Sequence, residues 1–432
     1  MQLVRNFAEQ DSRTGARAVD TVGVLGAGTM GSGIAISLAT AGLDVVLVDT
    51  RQEALLAGMD RLRSTLAAAV QKGRLDAAAA QAAIERVRAG GSIDALASAD
   101  LVIEAVFESL AVKREVFASL GTVCRAGAVL ASNTSTLDID AIAAASGRAR
   151  DVVGMHFFSP ANIMRLVEIV RGSATAADVI ATAREVTRRM GKLGVVVGNC
   201  FGFVGNRMLY AYGRENQLML LEGAVPVEID GALEKFGMAM GPNAVGDLAG
   251  LDVGYRVRRE RKDLPDDPRY YRVADLLVES GRLGQKTGRG AYLYPEGTRK
   301  PVRDPEVESL IAAESARLGI DRRAISDEEI VNRCLFALIN EGALILEQGF
   351  ADSPADIDAI WCNGYGFPKS RGGPMSYADA LGTPVVLEGV LRFERLLGPR
   401  YWTPAPLLRE LAASGDTFQS WQLRRAPPEG SS

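Results

Sequence analysis

The sequence predicts an α/β domain carrying a helical arm, followed by two tandem all-α domains. Three observations predict it. Between residues 21 and 199, short β-branched runs alternate with helical stretches, the pattern of a parallel sheet wrapped by helices. After Asn199 the strand pattern stops, and helical periodicity with Gly and Pro punctuation takes over. The second half then repeats itself.

With 432 residues the chain is too long for one ordinary core. The expected divisions are a linker-like segment at 1–20, a nucleotide-binding domain at 21–199, and helical domains at 200–298 and 299–432. Strands are expected at 22–25, 45–48, 101–106, 129–132, 152–156, 166–170 and 195–197. Between the second and third, residues 51–88 are rich in Ala, Leu, Gln and Arg and are interrupted at Lys72-Gly73-Arg74. They read as two long helices, an arm projecting from the sheet. Further on, Asn206-Arg207-Met208-Leu209 is echoed by Asn332-Arg333-Cys334-Leu335. In each copy a Gly (Gly223, Gly349), an Ile-Asp pair (Ile229-Asp230, Ile357-Asp358) and a Gly/Pro-rich turn follow in order. That series indicates a duplication, with the copies joined near residues 295–305.

Composition narrows the partners. The chain is 47% hydrophobic and 24% charged with a net charge of -4, so no polyanion-binding surface is expected and nucleic acid is not a partner. Cys124, Cys200, Cys334 and Cys362 are scattered without a CxxC pair, and the chain has 1 His. A metal site is therefore not expected, and the thiols suit a reducing compartment. No run approaches the ~20 apolar residues that span a bilayer. The first residues lack the apolar core of a secretory signal, and the final Glu-Gly-Ser-Ser is not a peroxisomal address. A cytoplasmic protein is expected.

The chemistry begins at Gly26-Ala27-Gly28-Thr29-Met30-Gly31, which follows the first strand and opens a helix. There the first Gly permits a tight turn and the second lets a diphosphate approach the backbone. The third packs helix on strand, as in a Rossmann dinucleotide site. Asp49 closes the next strand, where a carboxylate accepts hydrogen bonds from the adenosine ribose and repels a 2′-phosphate. NAD is thus favoured over NADP, although Arg51 lies close by. His156 sits in Gly154-Met155-His156-Phe157-Phe158-Ser159-Pro160. It is the side chain suited to moving a proton near neutral pH. Glu168 reaches the ring if the segment turns back in an adjacent strand.

Together these residues resemble the 3-hydroxyacyl-CoA dehydrogenases. The resemblance is carried by the glycine loop, Glu104-Ala105-Val106-Phe107-Glu108 with Lys113, Ser132-Asn133-Thr134-Ser135, the His156 motif and Gly202-Phe203-Val204-Gly205-Asn206-Arg207. The remainder, through Gly372-Gly373-Pro374-Met375-Ser376-Tyr377-Ala378-Asp379, resembles the additional helical domain of multifunctional β-oxidation enzymes. The chain looks like the dehydrogenase half of peroxisomal-type bifunctional enzymes and their bacterial relatives, without the enoyl-CoA hydratase half. Arg5-Asn6-Phe7-Ala8-Glu9 resembles the linker that follows that half.

The resemblance implies NAD-dependent oxidation of an (S)-3-hydroxyacyl-CoA to a 3-oxoacyl-CoA. It makes His156 the general base, Glu168 its orienting carboxylate, and Ser135 and Asn206 the partners of the substrate's 3-oxygen. Cofactor contacts would come from Gly26, Gly28, Thr29, Met30, Gly31, Asp49, Val106, Phe107, Glu108, Lys113, Ser135, Ser159 and Lys286. Thr65 and Lys72 on the arm would meet coenzyme A, and Tyr377 would stand on the substrate side. Structural alternatives remain: Ser135 and Asn206 as cap and turn residues, Lys72 as a solvated helix end, Lys286 as a turn brace, Tyr377 as packing. Ser159 stands where monofunctional members usually carry Asn, a mark of the peroxisomal-type subfamily. Other functional readings are a dehydrogenase of a free 3-hydroxy acid, a cofactor-binding protein without chemistry, and a module docked to a separate hydratase or thiolase. The repeat suggests a monomer with an internal pseudo-dimer of helical domains.

Overall fold

The structure, a computed structural model, describes residues 15–425; the Arg5–Glu9 motif lies outside them. The chain divides into two compact units. One holds the described residues up to Asn206 together with Gly349–Asp352; the other holds Arg207–Gln348 and the described residues from Ser353 onward.

The first unit is built on one sheet in the order β3-β2-β1-β4-β5-β6-β7-β8. Its strands are β1 (Thr21–Leu25), β2 (Asp44–Val48), β3 (Val87–Gly90), β4 (Leu101–Glu104), β5 (Val129–Ser132), β6 (Val152–Phe157), β7 (Leu166–Arg171) and β8 (Leu193–Gly198). β4, β5 and β6 are buried along their whole length, which is why they read as largely apolar runs, broken by Glu104, Ser132 and His156. The helices are α1 (Thr29–Thr40), α2 (Gln52–Gln71), α3 (Ala77–Glu85), α4 (Leu110–Val123), α5 (Ile139–Ala145) and α6 (Ala177–Arg189).

Three expectations need correction. The arm is not two long helices: α3 has 9 residues, and residues 87–90 form a strand instead. Val87-Arg88-Ala89-Gly90 carries little β propensity and two exposed residues, because an edge strand needs only one apolar side. The third expected strand stops at Glu104, not at 106, because the Glu104 side chain takes the Val106 amide at 2.7 Å and turns the chain out of the ladder. The sheet is also not wholly parallel. β7 pairs antiparallel with β6, and β8 runs parallel to β7, so the last two strands are reversed. The loop between β6 and β7 is too short for the helical crossover that a parallel return needs.

The second unit is helical, beginning within α7 (Gly205–Glu222). Then come α8 (Pro226–Phe236), α9 (Pro242–Ala249), α10 (Leu251–Glu260), α11 (Arg272–Glu279) and α12 (Pro305–Arg317). The repeated series starts again with α13 (Asp327–Glu347), α14 (Pro354–Gly364), α15 (Pro374–Leu381) and α16 (Thr383–Leu397), and three further helices follow.

The repeat has a physical basis. Asp230, on α8, accepts the Asn243 and Ala244 amides at 3.0 and 2.9 Å, in the first turn of α9. Asp358, on α14, accepts the Met375 and Ser376 amides at 2.7 and 3.0 Å, in the first turn of α15. Each carboxylate caps the following helix in place of a local cap. Gly241 and Gly373 precede the prolines because a β-carbon there would strike the capping Asp. One step further, Asp247 accepts the Ala291 and Tyr292 amides, and Asp379 those of Phe418 and Gln419.

The copies also grip each other reciprocally. Arg207 reaches Glu341 at 2.6 Å and Gln348 at 2.8 Å. Arg333 reaches Glu215 at 3.0 Å and Glu222 at 2.5 Å. These are the same three positions taken in both directions, Arg207 with Arg333, Glu215 with Glu341 and Glu222 with Gln348, the signature of a two-fold interface.

Asp358→Ala is expected to leave two first-turn amides without acceptors and cost about 3 kcal/mol in urea unfolding followed by tryptophan fluorescence. Burial pushes the Asp358 carboxyl up to about 6. Its folded pKa therefore lies above the unfolded one, so its contribution is complete below about pH 4 and is lost as pH rises through about 6. Asp358→Asn should remove that decline from the pH profile of stability.

Candidate active site

In an open sheet of this order, the strand order reverses between the neighbours β1 and β4, and ligands bind outside the carboxyl ends of the strands at such a switch point. Gly26 leaves β1 at φ 106°, and a β-carbon on it would lie 2.6 Å from the Ala105 oxygen in the turn after β4. Only glycine lets these turns cross so closely. Gly28 is the N-cap of α1; that helix start has no side-chain cap and no acidic residue in its first turn. A β-carbon on Gly28 would meet nothing within 4 Å. Uncapped amides facing open space at a helix start suit a diphosphate. Asp49, at the end of β2, is held by the Ala27 amide at 3.0 Å and the Arg51 amide at 3.0 Å. It retains acceptor capacity for ribose hydroxyls, while Arg51 stands with its side chain 82% exposed. The residues present therefore fit NAD.

The loops after β4 and β5 form a polar cluster. The fully buried Lys113, on α4, donates to Glu104 at 2.6 Å and lies 3.3 Å from Glu108. Glu108 accepts the Thr134 hydroxyl at 2.6 Å, the Ser135 amide at 2.8 Å and the Ser135 hydroxyl at 3.2 Å. Burial works to raise the Glu108 pKa, but attraction to Lys113 and these hydrogen bonds outweigh it and bring it below the usual carboxylate range. Asn206 donates to the Ser135 carbonyl at 3.2 Å.

His156 and Glu168 are direct register partners across the β6–β7 pair. The His156 Nδ1 lies 2.8 Å from Glu168 Oε2. The other oxygen, Oε1, accepts the Gly205 amide at 2.9 Å and the Val204 amide at 3.3 Å. In this contact Nδ1 is the ring nitrogen that meets the carboxylate, which leaves Nε2 outside it. Phe158 and Phe203 flank the imidazole, with ring centroids at 4.6 and 5.8 Å. Phe203 holds a left-handed φ of 51°, a strained conformation for a bulky residue. Directly after it, the Val204 and Gly205 amides lead into α7 and meet Glu168, so a helix start faces the carboxylate.

The first unit thus brings together Ser135, His156, Glu168 and Asn206, with the glycine loop, Asp49, Val106, Glu108 and Lys113 at the same end of the sheet. Phe107 and Ser159 are exposed, on the loops after β4 and β6. On the arm, Thr65 is half-buried in α2 and Lys72 is the exposed residue that ends it; their spacing of two turns puts them on one face. Lys286 and Tyr377 belong to the second unit. Lys286 pairs with Asp252, and the Tyr377 ring packs 5.2 Å from Phe236. Two contributors were passed over as site residues. Glu104 is a carboxylate closing an otherwise apolar strand, and that contrast was the available signal. Asn133 accepts the Phe157 amide at 2.9 Å, which ties β5 to the His156 strand; nothing in its spacing announces this.

Comparison with known proteins adds the following. The model of the 3-hydroxyacyl-CoA dehydrogenase NAD binding domain matches residues 21–200. The model of the family's C-terminal domain matches twice, at 202–294 and 330–420, so the two copies are recognised separately. The peroxisomal bifunctional enzyme of Danio rerio is 44% identical over 421 residues, covering 94% of this chain and 58% of the relative. The fatty acid oxidation complex subunit alpha of Psychrobacter arcticus is 36% identical, covering 96% of this chain and 58% of that protein. This chain therefore spans less than two thirds of the curated relatives it matches. Among solved structures, 3-hydroxybutyryl-CoA dehydrogenase from Escherichia coli aligns with a TM-score of 0.78 and 31% identity, over 92% of this chain and 99% of that one.

Glu168→Ala should leave the Val204 and Gly205 amides and the His156 ring without their acceptor. A loss of about 3 kcal/mol in urea unfolding is expected, with Glu168→Gln losing clearly less.

Proposed function

This chain belongs to the 3-hydroxyacyl-CoA dehydrogenase family, an NAD-dependent oxidoreductase class, and from that premise we propose that it oxidises (S)-3-hydroxyacyl-CoA to 3-oxoacyl-CoA. The observation that carries the proposal is the His156–Glu168 contact of 2.8 Å across paired strands, beside the Ser135–Asn206 pair. NAD, when bound, supplies the hydride acceptor. The glycine loop and α1 would hold its diphosphate, Asp49 its ribose, and Val106, Phe107, Glu108, Lys113, Ser159 and Lys286 its remaining contacts. His156 takes the hydroxyl proton on Nε2, and Glu168 offsets the charge that develops on the ring. Ser135 and Asn206 hold the 3-oxygen so that proton and hydride leave in one geometry.

Coenzyme A would lie along the arm at Thr65 and Lys72, with Tyr377 on the acyl side. An exposed cation on the arm favours a thioester carrying phosphates over a free 3-hydroxy acid. The second helical copy, within residues 299–432, takes the place that a partner subunit would take, and the reciprocal Arg207 and Arg333 contacts support a monomer. An enoyl-CoA hydratase, which would supply the substrate, or a thiolase, which would consume the product, is the class of protein partner that suits this reaction. Among the described residues no helix is long and apolar enough to cross a membrane, and Cys124 and Cys334 are buried free thiols. Free thiols support the reducing cytoplasm as its location.

The test is NADH-linked absorbance with acetoacetyl-CoA, beside acetoacetate and with NADPH as the control. Oxidation of NADH with the thioester alone is expected; turnover of the free acid alone would favour the other reading. His156→Gln should lower turnover by about 10²- to 10⁴-fold while NADH affinity is kept. Near-normal turnover in that variant would remove His156 from its role.

A further inference from the structure

We propose that Glu104 is a positioning residue that sets the charge of the cofactor pocket, so that the pocket favours the oxidised nicotinamide over the reduced one. The inference rests on the NAD reading above. Glu104 is the last residue of β4 and is fully buried. Its carboxylate serves three donors: Lys113 Nζ at 2.6 Å, the Val106 amide at 2.7 Å and the Ser132 hydroxyl at 2.7 Å. The strand otherwise reads Leu101-Val102-Ile103, and an apolar residue would pack there without desolvating any charge. A buried ion pair rarely improves on such packing, so a carboxylate at this position calls for a reason other than stability.

The reason lies in the count of charges. Lys113 is the cation of the cluster, and it faces two carboxylates, Glu104 at 2.6 Å and Glu108 at 3.3 Å. The trio therefore carries one formal net negative charge, with Glu104 and Lys113 fully buried and Glu108 at the edge of the cluster. From Glu108 the hydrogen bonds run to Thr134 and Ser135, and from the Ser135 carbonyl to Asn206. Those residues, with His156, define where the reacting carbon must stand, and the nicotinamide ring has to lie against that carbon. Oxidised nicotinamide is a cation and reduced nicotinamide is neutral. A net negative cluster beside the ring lowers the free energy of the first and leaves the second almost untouched. Glu104 touches neither ring nor substrate in this account; it acts through Lys113.

The test is the equilibrium affinity of the full chain for NAD+ and for NADH, each measured by titration calorimetry with no substrate present. Glu104→Gln keeps the shape and removes the charge. It should raise the ratio of the NAD+ dissociation constant to that of NADH on the order of tenfold. Glu104→Asp keeps the charge and shortens the reach; it should weaken both forms and restore the original ratio. Equal weakening of both forms in Glu104→Gln would overturn the inference and leave Glu104 as scaffold. If that variant does not fold, Lys113→Met serves instead: it should move the ratio the opposite way, and an unchanged ratio overturns the proposal. Failure of the unaltered protein to bind either form would remove the NAD reading itself, and this inference with it.

Discussion

The reversal of β7 against β6 is the constraint on which the rest of the site depends. In an antiparallel pair, opposed residues place their side chains on the same face within contact distance. His156 and Glu168 are such a pair, and no parallel return of that segment would have put them side by side. The reversal also buries Glu168 completely, and a buried carboxylate must find donors. It finds them in the imidazole on one oxygen and in two amides at the start of α7 on the other. The strained turn at Phe203 is what aims those amides inward. The His156–Glu168 contact and the entry into α7 are in this way one structural problem with a shared solution.

A second layer of order comes from the crossing at Gly26. The turn after β1 and the turn after β4 approach so closely that a β-carbon would lie 2.6 Å from the Ala105 oxygen. Two residues beyond Ala105 the chain is exposed at Phe107, and then Glu108 turns back toward Ser135. The dinucleotide loop and the polar cluster are therefore positioned by the same contact. Glu104 closes the arrangement from beneath, since the Val106 amide that it accepts lies two residues beyond the end of the strand.

Much of this was legible in the sequence, for identifiable reasons. Buried strands advertise themselves by largely apolar runs, so β4, β5 and β6 stood out, as did the glycine loop with Asp49 beyond it. The contact between His156 and Glu168 was open to expectation only as a condition, namely that the chain turns back, and the antiparallel register meets that condition. Val87–Gly90 was not legible, because an edge strand with two exposed residues has no apolar pattern to display. The end of β4 was missed because a side chain, not a Gly or Pro, terminates it. Asn133 belongs to the same class: its role depends on a strand far away in sequence, and no local spacing encodes that.

The duplicated half shows which constraints outlast divergence. What the two copies share is a carboxylate that receives two backbone amides from the first turn of the next helix, at Asp230 and again at Asp358. The side chains around it have changed freely: Asp230 also takes the Tyr292 hydroxyl, Asp358 the Ser376 hydroxyl. The amides belong to the backbone and cannot be substituted away, whereas a side-chain donor can be exchanged for another. The reciprocal grips illustrate the same rule from the other side. Arg333 is fully buried between two glutamates, while its counterpart Arg207 faces one glutamate and one glutamine and keeps some exposure. A symmetric pair of chains would be obliged to make these contacts alike. Within one chain each can settle separately, so the asymmetry between Arg207 and Arg333 is what a two-fold interface becomes once both halves are encoded in a single polypeptide.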